Sequence, residues 1–256
     1  MIANYHTHTT RCRHAQDAEE EYVQNAIEGG LQILGFSDHS PYWFPGEHYS
    51  TFRMFPDQLE DYCQTVIGLR EKYAGKLQIR LGLEVEYYPA YFDELMAHLR
   101  DTPIEYMLLG QHFIGNEIAE PYSYSATQEE SVLERYCHQV MDAMQTGLFT
   151  YIAHPDLINY QGDENIYRKH IGRLCREAKA CGIPLEINLL GIRGQRMYPN
   201  ERFWEVAAQE GCTAILGCDA HCAADVCDRS SEKTALALAE KYGIALLDTV
   251  ALRPIK

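Results

Sequence analysis

Several features that the sequence lacks narrow its function. It has no apolar stretch of the roughly eighteen residues that a membrane-spanning helix needs, and its first residues lack the basic and then apolar pattern of a secretory signal. Positive charge is scarce, since 22 Lys and Arg stand against 37 Asp and Glu and give a formal net charge of −15. Nucleic-acid binding depends mainly on cationic side chains at phosphates, so no nucleic-acid partner is expected. These absences predict a soluble, cytoplasmic protein without a membrane partner.

Paired cysteine motifs and domain linkers are absent as well. The nine Cys form an odd set without paired spacing, which favours reduced thiols over a disulfide framework. The chain has no internal repeat, no low-complexity tract and no linker rich in Pro, Gly and Ser. With 256 residues and 46% hydrophobic content it can bury one large core, so we expect a single domain over 1–256.

Short apolar runs alternate with longer amphipathic segments, which is typical of α/β proteins built from βα units with a parallel sheet. The predicted strands lie near 2–6, 31–37, 77–86, 105–112, 149–153, 184–188 and 213–218, with 244–248 as an optional short eighth piece. Cap residues and closing glycines predict helices over Asp17 to Gly29, Asp57 to Gly75, Glu164 to Gly182, and Asn200 to Gly211.

The longest irregular segment is the stretch 40–56, which we call the aromatic loop. Its aromatic residues are Tyr42, Trp43, Phe44, Tyr49, Phe52 and Phe55. Two interpretations stay open: a satellite cluster packed on the sheet, or a lid over a pocket.

Residues that can bind metal ions follow nearly every predicted strand. They are His6, His8, Asp38, His39, Glu84, His112, His154, Asp219 and His221. Successive strand side chains point to opposite faces, so His6 and His8 share a face and can bind the same ion. The C-terminal ends of parallel strands converge in a βα barrel, which predicts one metal site there. Four other histidines, His48, His98, His138 and His170, lie in loops or helical patterns and are interpreted as surface residues.

The ordered series of motifs resembles the polymerase-and-histidinol-phosphatase (PHP) superfamily, and most of all its histidinol-phosphatase branch. The motifs are His6-Thr7-His8, Ser37-Asp38-His39-Ser40-Pro41, Gly82-Leu83-Glu84, Gly110-Gln111-His112, Ala153-His154-Pro155-Asp156, Glu186-Ile187-Asn188 and Gly217-Cys218-Asp219-Ala220-His221. They span almost the whole chain in order. The resemblance implies a distorted seven-stranded, TIM-barrel-like (β/α)7 barrel.

The resemblance also implies two or three divalent ions. Their ligands would be His6, His8, Glu84 and Asp219 for the first, Glu84, His112 and His154 for the second, and His14, His39 and His221 for the third. Imidazoles and carboxylates suit Zn, Mn or Fe, and a carboxylate such as Glu84 can bridge two ions. His14 lies past the first strand, so a plain loop residue is its alternative interpretation. Cys12, Cys218 and Cys222 adjoin the ligands but are expected to be packing residues.

The activity implied is hydrolysis of a small phosphate ester, most of all L-histidinol phosphate in histidine biosynthesis. Neither a Gly-x-Ser-x-Gly elbow nor a phosphate-binding P-loop is present, so a hydroxide activated by the ions is expected to attack phosphorus directly. The partners would be the small phosphorylated substrate and inorganic phosphate. Alternatives are another phosphate ester or phosphotyrosine, a nuclease, and a metal-binding domain without catalysis.

Four residues are candidates for substrate binding and proton transfer. Arg193, in Gly191-Ile192-Arg193, resembles a Gly-Leu-Arg stretch of the branch and is expected to clamp the phosphate, with Arg196 as its competitor. Asp38 and His221 are the candidates for protonating the leaving group, and Asp38 has a second interpretation, in which it orients His8 or His39.

Overall fold

Eight parallel strands form one sheet in the computed structural model, which describes residues 1–118 and 121–255. Their spatial order is the same as their order in the chain. The strands are β1 (Ala3–Asn4), β2 (Ile33–His39), β3 (Gln78–Val85), β4 (Tyr106–Leu109), β5 (Phe149–Ile152), β6 (Leu185–Asn188), β7 (Thr213–Gly217) and β8 (Ala245–Leu246). The sequence prediction of an α/β fold with a parallel sheet is confirmed.

The sheet curls so that β1 and β7 meet beyond their C-terminal ends. Thr7 bridges to Ala220 in parallel register, and the His8 amide donates to the Ala220 carbonyl at 2.9 Å. The short β8 pairs with Thr213 and Ala214, at the opposite end of β7. The sheet therefore has eight strands and not seven, but its C-terminal mouth is rimmed by β1 to β7 alone.

Helices connect the strands, as the amphipathic segments predicted. They are α1 (Glu19–Glu28), α2 (Leu59–Lys72), α3 (Phe92–Leu99), α4 (Glu130–Gln145), α5 (Glu164–Ala180), α6 (Leu189–Arg193), α7 (Glu201–Glu210) and α8 (Arg229–Tyr242). The Asp163 carboxylate begins α5 by accepting from the amides of Asn165 and Ile166 at 2.8 and 3.2 Å. Such caps satisfy amides that lack a partner within the helix, which explains where these helices begin.

The interior of the curled sheet is filled by a small apolar group, separate from the larger core between sheet and helices. Tyr106 lies at its centre, and its hydroxyl donates to the carbonyl of Tyr5 at 2.7 Å. The ring packs directly on Gly82 of β3, where a Cβ atom would lie 2.3 Å from the Tyr106 Cζ atom. The interior therefore needs glycine at position 82.

The aromatic loop is packed against the sheet, as the satellite-cluster interpretation expected. Tyr42, Arg53 and Met54 in it are fully buried. Trp43 stacks on His98 of α3, with ring centroids 3.7 Å apart. Phe52 points the other way, into the cavity at the sheet's mouth. The loop is thus both a packed cluster and part of a pocket wall.

One histidine outside the mouth differs from its sequence interpretation. His170 was expected at the surface, but it is only 4% exposed, because it lies on the inner side of α5. Its Nε2 atom lies 2.9 Å from Glu130 Oε1 of α4. This residue joins two helices and is not a ligand.

Within the described ranges, no helix is both long enough and apolar enough to cross a membrane. All nine cysteines are free, and six of them are buried. Their unpaired state agrees with the expectation of reduced thiols.

Replacing Gly82 by Ala is expected to destabilise the protein by about 1–3 kcal/mol, because the added methyl group forces the Tyr106 ring to move in a filled interior. Gly68 in α2 is a matched control, since a Cβ there meets nothing within 4 Å. Gly68→Ala should be neutral or stabilise by up to about 1 kcal/mol. Denaturant unfolding of both variants is the measurement, and equal stabilities would contradict this account of the interior.

Candidate metal centre

The mouth of the curled sheet holds a cavity of about 540 Å³. Seven of the predicted ligands line it directly, namely His14, His39, Glu84, His112, His154, Asp219 and His221. His6 and His8, both fully buried, lie beneath them on the segment that follows β1. The structure thus brings all nine predicted ligands to one place, because parallel strands deliver their C-terminal ends to the same edge.

A first group forms around the histidines after β1. His8 Nε2 lies 3.1 Å from Asp219 Oδ1 and 3.6 Å from Glu84 Oε2. His6 Nε2 lies 3.5 Å from Glu84 Oε2 and 3.7 Å from Asp219 Oδ1. These atoms point at a common centre, as the alternation of side chains along an extended segment predicted.

The two oxygens of Glu84 face different groups of histidines. One faces a second group, His112 and His154, and the other faces His39 and the first group. Oε1 lies 2.9 Å from His154 Nε2 and 3.7 Å from His112 Nε2, whereas Oε2 faces His39, at 3.0 Å from Nδ1, and the first group. Gly110 makes room for this carboxylate, since a Cβ at that position would lie 1.9 Å from Oε1. The geometry is that of a carboxylate that can bridge two ions.

A third group consists of His14, His39 and His221, whose ring nitrogens lie within 4.8 Å of one another. His14 Nε2 is 2.9 Å from His221 Nε2. Burial lowers the pKa of all three imidazoles, and for His39 and His221 the lowering is large. A neutral imidazole has the free lone pair that a metal ion needs, so this group is in its ligand form.

In the first group the pKa values of the imidazoles are shifted in the opposite direction. Burial alone would lower the pKa of His6 and His8, but nearby carboxylates outweigh it, raising the pKa of His8 to about 9 and that of His6 well above its usual value. Burial likewise opposes ionisation of Glu84 and Asp219, yet the surrounding imidazoles hold both pKa values well below the usual range. Ionised carboxylates are therefore retained in a buried place, where they require positive charge.

Orphaned polar atoms test whether the residues fit a cation. His6 Nε2, His8 Nε2 and Glu84 Oε2 are buried and have no hydrogen-bond partner. Buried polar atoms normally find a partner, so three unpartnered polar atoms aimed at one point need an explanation. A divalent ion of the Zn, Mn or Fe type satisfies all three. The residues present fit such an ion.

The sequence profile of the PHP domain family matches residues 4–189. This chain belongs to the PHP family.

Several known proteins align with most of this chain. A probable histidinol-phosphatase of Deinococcus radiodurans is 30% identical over 231 residues, which cover 86% of each chain. The histidinol-phosphatase of Bacillus subtilis is 27% identical over 254 residues, 86% of this chain and 94% of the relative. Histidinol phosphate phosphatase of Lactococcus lactis, solved with zinc, L-histidinol and phosphate, superposes with a TM-score of 0.75 at 22% identity, covering 98% and 97% of the two chains. The barrel-like fold is therefore that of the PHP phosphatases.

Residues that orient the histidines of this PHP domain were partly missed from sequence. His6 Nδ1 lies 2.8 Å from Glu186 Oε1, and the other Glu186 oxygen accepts from the His154 amide at 3.0 Å. Glu86 holds His112 in the same way, at 2.8 Å from Nδ1. Each carboxylate occupies one ring nitrogen or amide and leaves Nε2 directed at the centre. Strand alternation gave a signal for Glu86, because it lies two positions after Glu84 and hence on the same face.

Asp38 lies beneath the cavity, in the position expected of a residue that orients the histidines. It is fully buried, and its Oδ1 atom lies 3.3 Å from His8 Nδ1 and accepts from the His39 amide at 2.9 Å. The Thr9 hydroxyl donates to the other oxygen. Both oxygens are thus occupied beneath the cavity. His221, the other candidate, does line the cavity.

The two candidate arginines occupy different places. The guanidinium of Arg193, the expected clamp, donates to the Asp219 carbonyl at 2.9 Å and pairs with Asp225 at 3.0 Å, outside the cavity. Arg196 is exposed, and among the arginines of the described ranges it is the one that lines the cavity. Its Nη1 donates to the Tyr198 hydroxyl at 2.8 Å. The loop after α6 therefore presents Arg196 to the cavity, whereas Arg193 braces the segment after β7.

Cys218 and Cys12, two of the three cysteines near the ligands, differ in their access to the centre. The Cys218 thiol donates to the Val226 carbonyl at 3.0 Å and points away, as strand alternation predicted. The Cys12 sulfur does lie within 4.8 Å of nitrogens of His8 and His221. Burial and the neighbouring Asp38 raise the pKa of Cys12, which disfavours the thiolate form that a metal ion binds.

Glu84→Ala is expected to reduce the bound divalent metal by roughly one ion per chain or more, because the carboxylate serves two groups at once. Inductively coupled plasma mass spectrometry on dialysed protein measures the metal content. His138→Ala, on α4 and in contact with Arg173 of α5 away from the mouth, is the control and should retain all ions. Full metal content in the Glu84 variant would contradict the bridging role.

Proposed function

We propose that this chain is a metal-dependent histidinol-phosphatase, which hydrolyses L-histidinol phosphate to L-histidinol and phosphate. The observation that carries the proposal is Glu84, whose two oxygens face separate histidine groups at the floor of a cavity of about 540 Å³. A cavity of that volume is suited to a small molecule and not to a polymer.

The comparisons support the substrate. Two relatives that align with 86% of this chain are named as histidinol-phosphatases, one of them as probable. The Lactococcus lactis structure holds L-histidinol and phosphate together with zinc. We therefore take zinc as the first ion to test, with Mn and Fe as alternatives and two or three ions as the expected number.

Divalent ions held by these ligands supply Lewis-acid chemistry, since they polarise phosphoryl oxygens and lower the pKa of a water towards neutrality. The chain's own residues then orient the imidazoles, provide a group at the leaving oxygen and, as described below, bind the phosphate. Asp38, Glu86 and Glu186 orient the imidazoles, so that the donor atoms are preorganised before substrate arrives. His221 lies at the cavity surface, where its neutral ring can serve as a ligand; to give a proton to the leaving alkoxide it would first have to take one up.

Arg196 is the residue that we assign to phosphate. A guanidinium offers paired N–H donors that match phosphate oxygens, and Arg196 is the arginine that faces the cavity. Phe52, Phe113, Tyr122 and Tyr198 form an aromatic wall around it. Such a wall can stack against an imidazole ring and contact an ammonium group, both of which histidinol phosphate carries.

The overall charge of −15 further favours a small phosphate ester over a nucleic acid. Nine free thiols support a reducing compartment, in line with an enzyme of histidine biosynthesis in the cytoplasm.

The test is steady-state hydrolysis of L-histidinol phosphate beside a panel that includes phosphotyrosine and other phosphomonoesters. Metal content is measured on the same sample. The highest kcat/KM is expected for histidinol phosphate. A higher value for phosphotyrosine or another ester, in a fully metal-loaded sample, would replace the substrate assignment and leave the reaction class intact.

Arg196→Ala is expected to raise KM and to weaken inhibition by inorganic phosphate, with a loss of roughly 30-fold or more in kcat/KM, or about 2 kcal/mol. Arg193→Ala is the matched variant and should affect stability more than phosphate inhibition, because its contacts are to Asp219 and Asp225. If phosphate inhibition weakens only in the Arg193 variant, the clamp lies on Arg193 as the sequence suggested.

A further inference from the structure

Arg53, in the aromatic loop, is completely buried although it carries a charge. Its Nη1 donates to the Ser40 carbonyl at 2.8 Å, its Nη2 to Glu86 Oε2 at 3.0 Å, and its Nε to Glu117 Oε2 at 3.1 Å. Burying a guanidinium is costly unless its donors are paired, so this arrangement is specific and not incidental.

Glu86 connects this arginine to the metal centre. One oxygen accepts from Arg53, and the other lies 2.8 Å from His112 Nδ1. Glu86 therefore occupies Nδ1 of His112 and leaves Nε2 directed towards Glu84, at 3.7 Å from Oε1.

The same arginine also supports the cavity wall. Its guanidinium carbon lies 4.5 Å from the centre of the Phe52 ring and 5.2 Å from that of Tyr42. The Phe52 ring in turn lies 5.2 Å from the His39 ring and 5.9 Å from the His112 ring. Arg53 therefore contacts the aromatic loop and the cavity wall directly, and the ligand His112 through Glu86.

The charge balance argues against a role in packing alone. Arg53 faces two buried carboxylates, Glu86 and Glu117, so one guanidinium leaves one negative charge uncompensated. His48 Nε2 is 3.7 Å from Glu117, and the Tyr88 hydroxyl donates to that carboxylate at 3.3 Å. Pairing with Glu117 would suffice to hold the loop. The additional Glu86 is explained by His112, because a cation bound to that imidazole supplies the missing positive charge.

We infer that Arg53 is a positioning residue, which orients His112 through Glu86 and thereby couples retention of the ion at Glu84, His112 and His154 to the seating of the aromatic loop. The inference rests on the proposed metal-dependent function and adds a determinant that lies outside the ligand set. It predicts that disturbing the loop anchor loosens one ion and leaves the remaining ions in place.

The experiment compares wild type with Arg53→Met, Arg53→Lys and Glu86→Gln, all loaded with zinc. Zinc content is followed during dialysis against graded concentrations of a chelator. Arg53→Met and Glu86→Gln should release one ion at chelator concentrations about 10- to 100-fold lower than wild type, the range typical for loss of a partner that orients a ligand. Arg53→Lys should be intermediate, because an ammonium pairs with one carboxylate but lacks the guanidinium fork.

Kinetics provide a readout that a purely structural role would not change. In both Arg53→Met and Glu86→Gln, kcat should fall at limiting zinc and recover at saturating zinc, with KM little altered. Arg70→Met is the control, since Arg70 of α2 pairs with Glu105, the residue before β4, away from the mouth. It should keep the wild-type chelator profile.

Equal chelator resistance in wild type and folded Arg53→Met would overturn the inference. If Arg53→Met does not fold, Glu86→Gln decides alone, because the amide keeps the size of the side chain and removes its charge. A wild-type protein that retains zinc but does not hydrolyse histidinol phosphate would refute the proposed substrate and leave the chelator comparison valid. A wild-type protein that binds no zinc would refute both.

Discussion

Buried carboxylates and imidazoles meet at the mouth of the sheet, and the balance of charge between them constrains everything around it. Five acidic side chains lie there almost without solvent, namely Asp38, Glu84, Glu86, Glu186 and Asp219. In such surroundings a carboxylate stays ionised only if positive charge or hydrogen-bond donors surround it. The imidazoles provide part of this compensation, and the unpartnered nitrogen and oxygen atoms show where a cation completes it. Strand ends, glycines and loop anchors are arranged to bring these groups together.

The cost of this arrangement is visible in the backbone. His154 and Asp219 have φ values of 30° and 46°, in the left-handed region that side-chain-bearing residues seldom adopt. Each lies two positions after the end of a strand, β5 for His154 and β7 for Asp219. Strain of this kind costs on the order of 1–3 kcal/mol per residue and persists where the surrounding structure requires it. Metal binding would offset this strain, because an ion that binds only the folded chain adds its binding free energy to the stability of that chain.

Sequence reasoning succeeded where chemistry follows directly from strand direction. His6, His8, Glu84 and Asp219 could be placed together because parallel strands end at one edge and side chains alternate along them. It was weaker where position depends on irregular backbone. Arg196 and not Arg193 faces the cavity because of the course of the loop after α6. No periodicity in the sequence predicts the course of such a loop. His170 was misplaced for a related reason, since the orientation of α5 depends on packing against α4. The role of Glu86 could have been predicted, because the alternation of side chains along β3 continues past Glu84 and places Glu86 on the same face.

The pairing of the segments after β1 and β7 also constrains when His6, His8 and Asp219 can come together during synthesis. The Cys218 amide donates to Asn4 Oδ1 across a sequence separation of 214 residues, and the His8 amide pairs with the Ala220 carbonyl beside it. Contacts this distant in sequence form late, because most of the chain must be ordered before they repay the entropy of closure. His6 and His8 are synthesised long before their partner Asp219. Two potential metal ligands therefore stay unpaired until β7 has been made, and an ion held jointly by His6, His8 and Asp219 can be bound only once β1 meets β7.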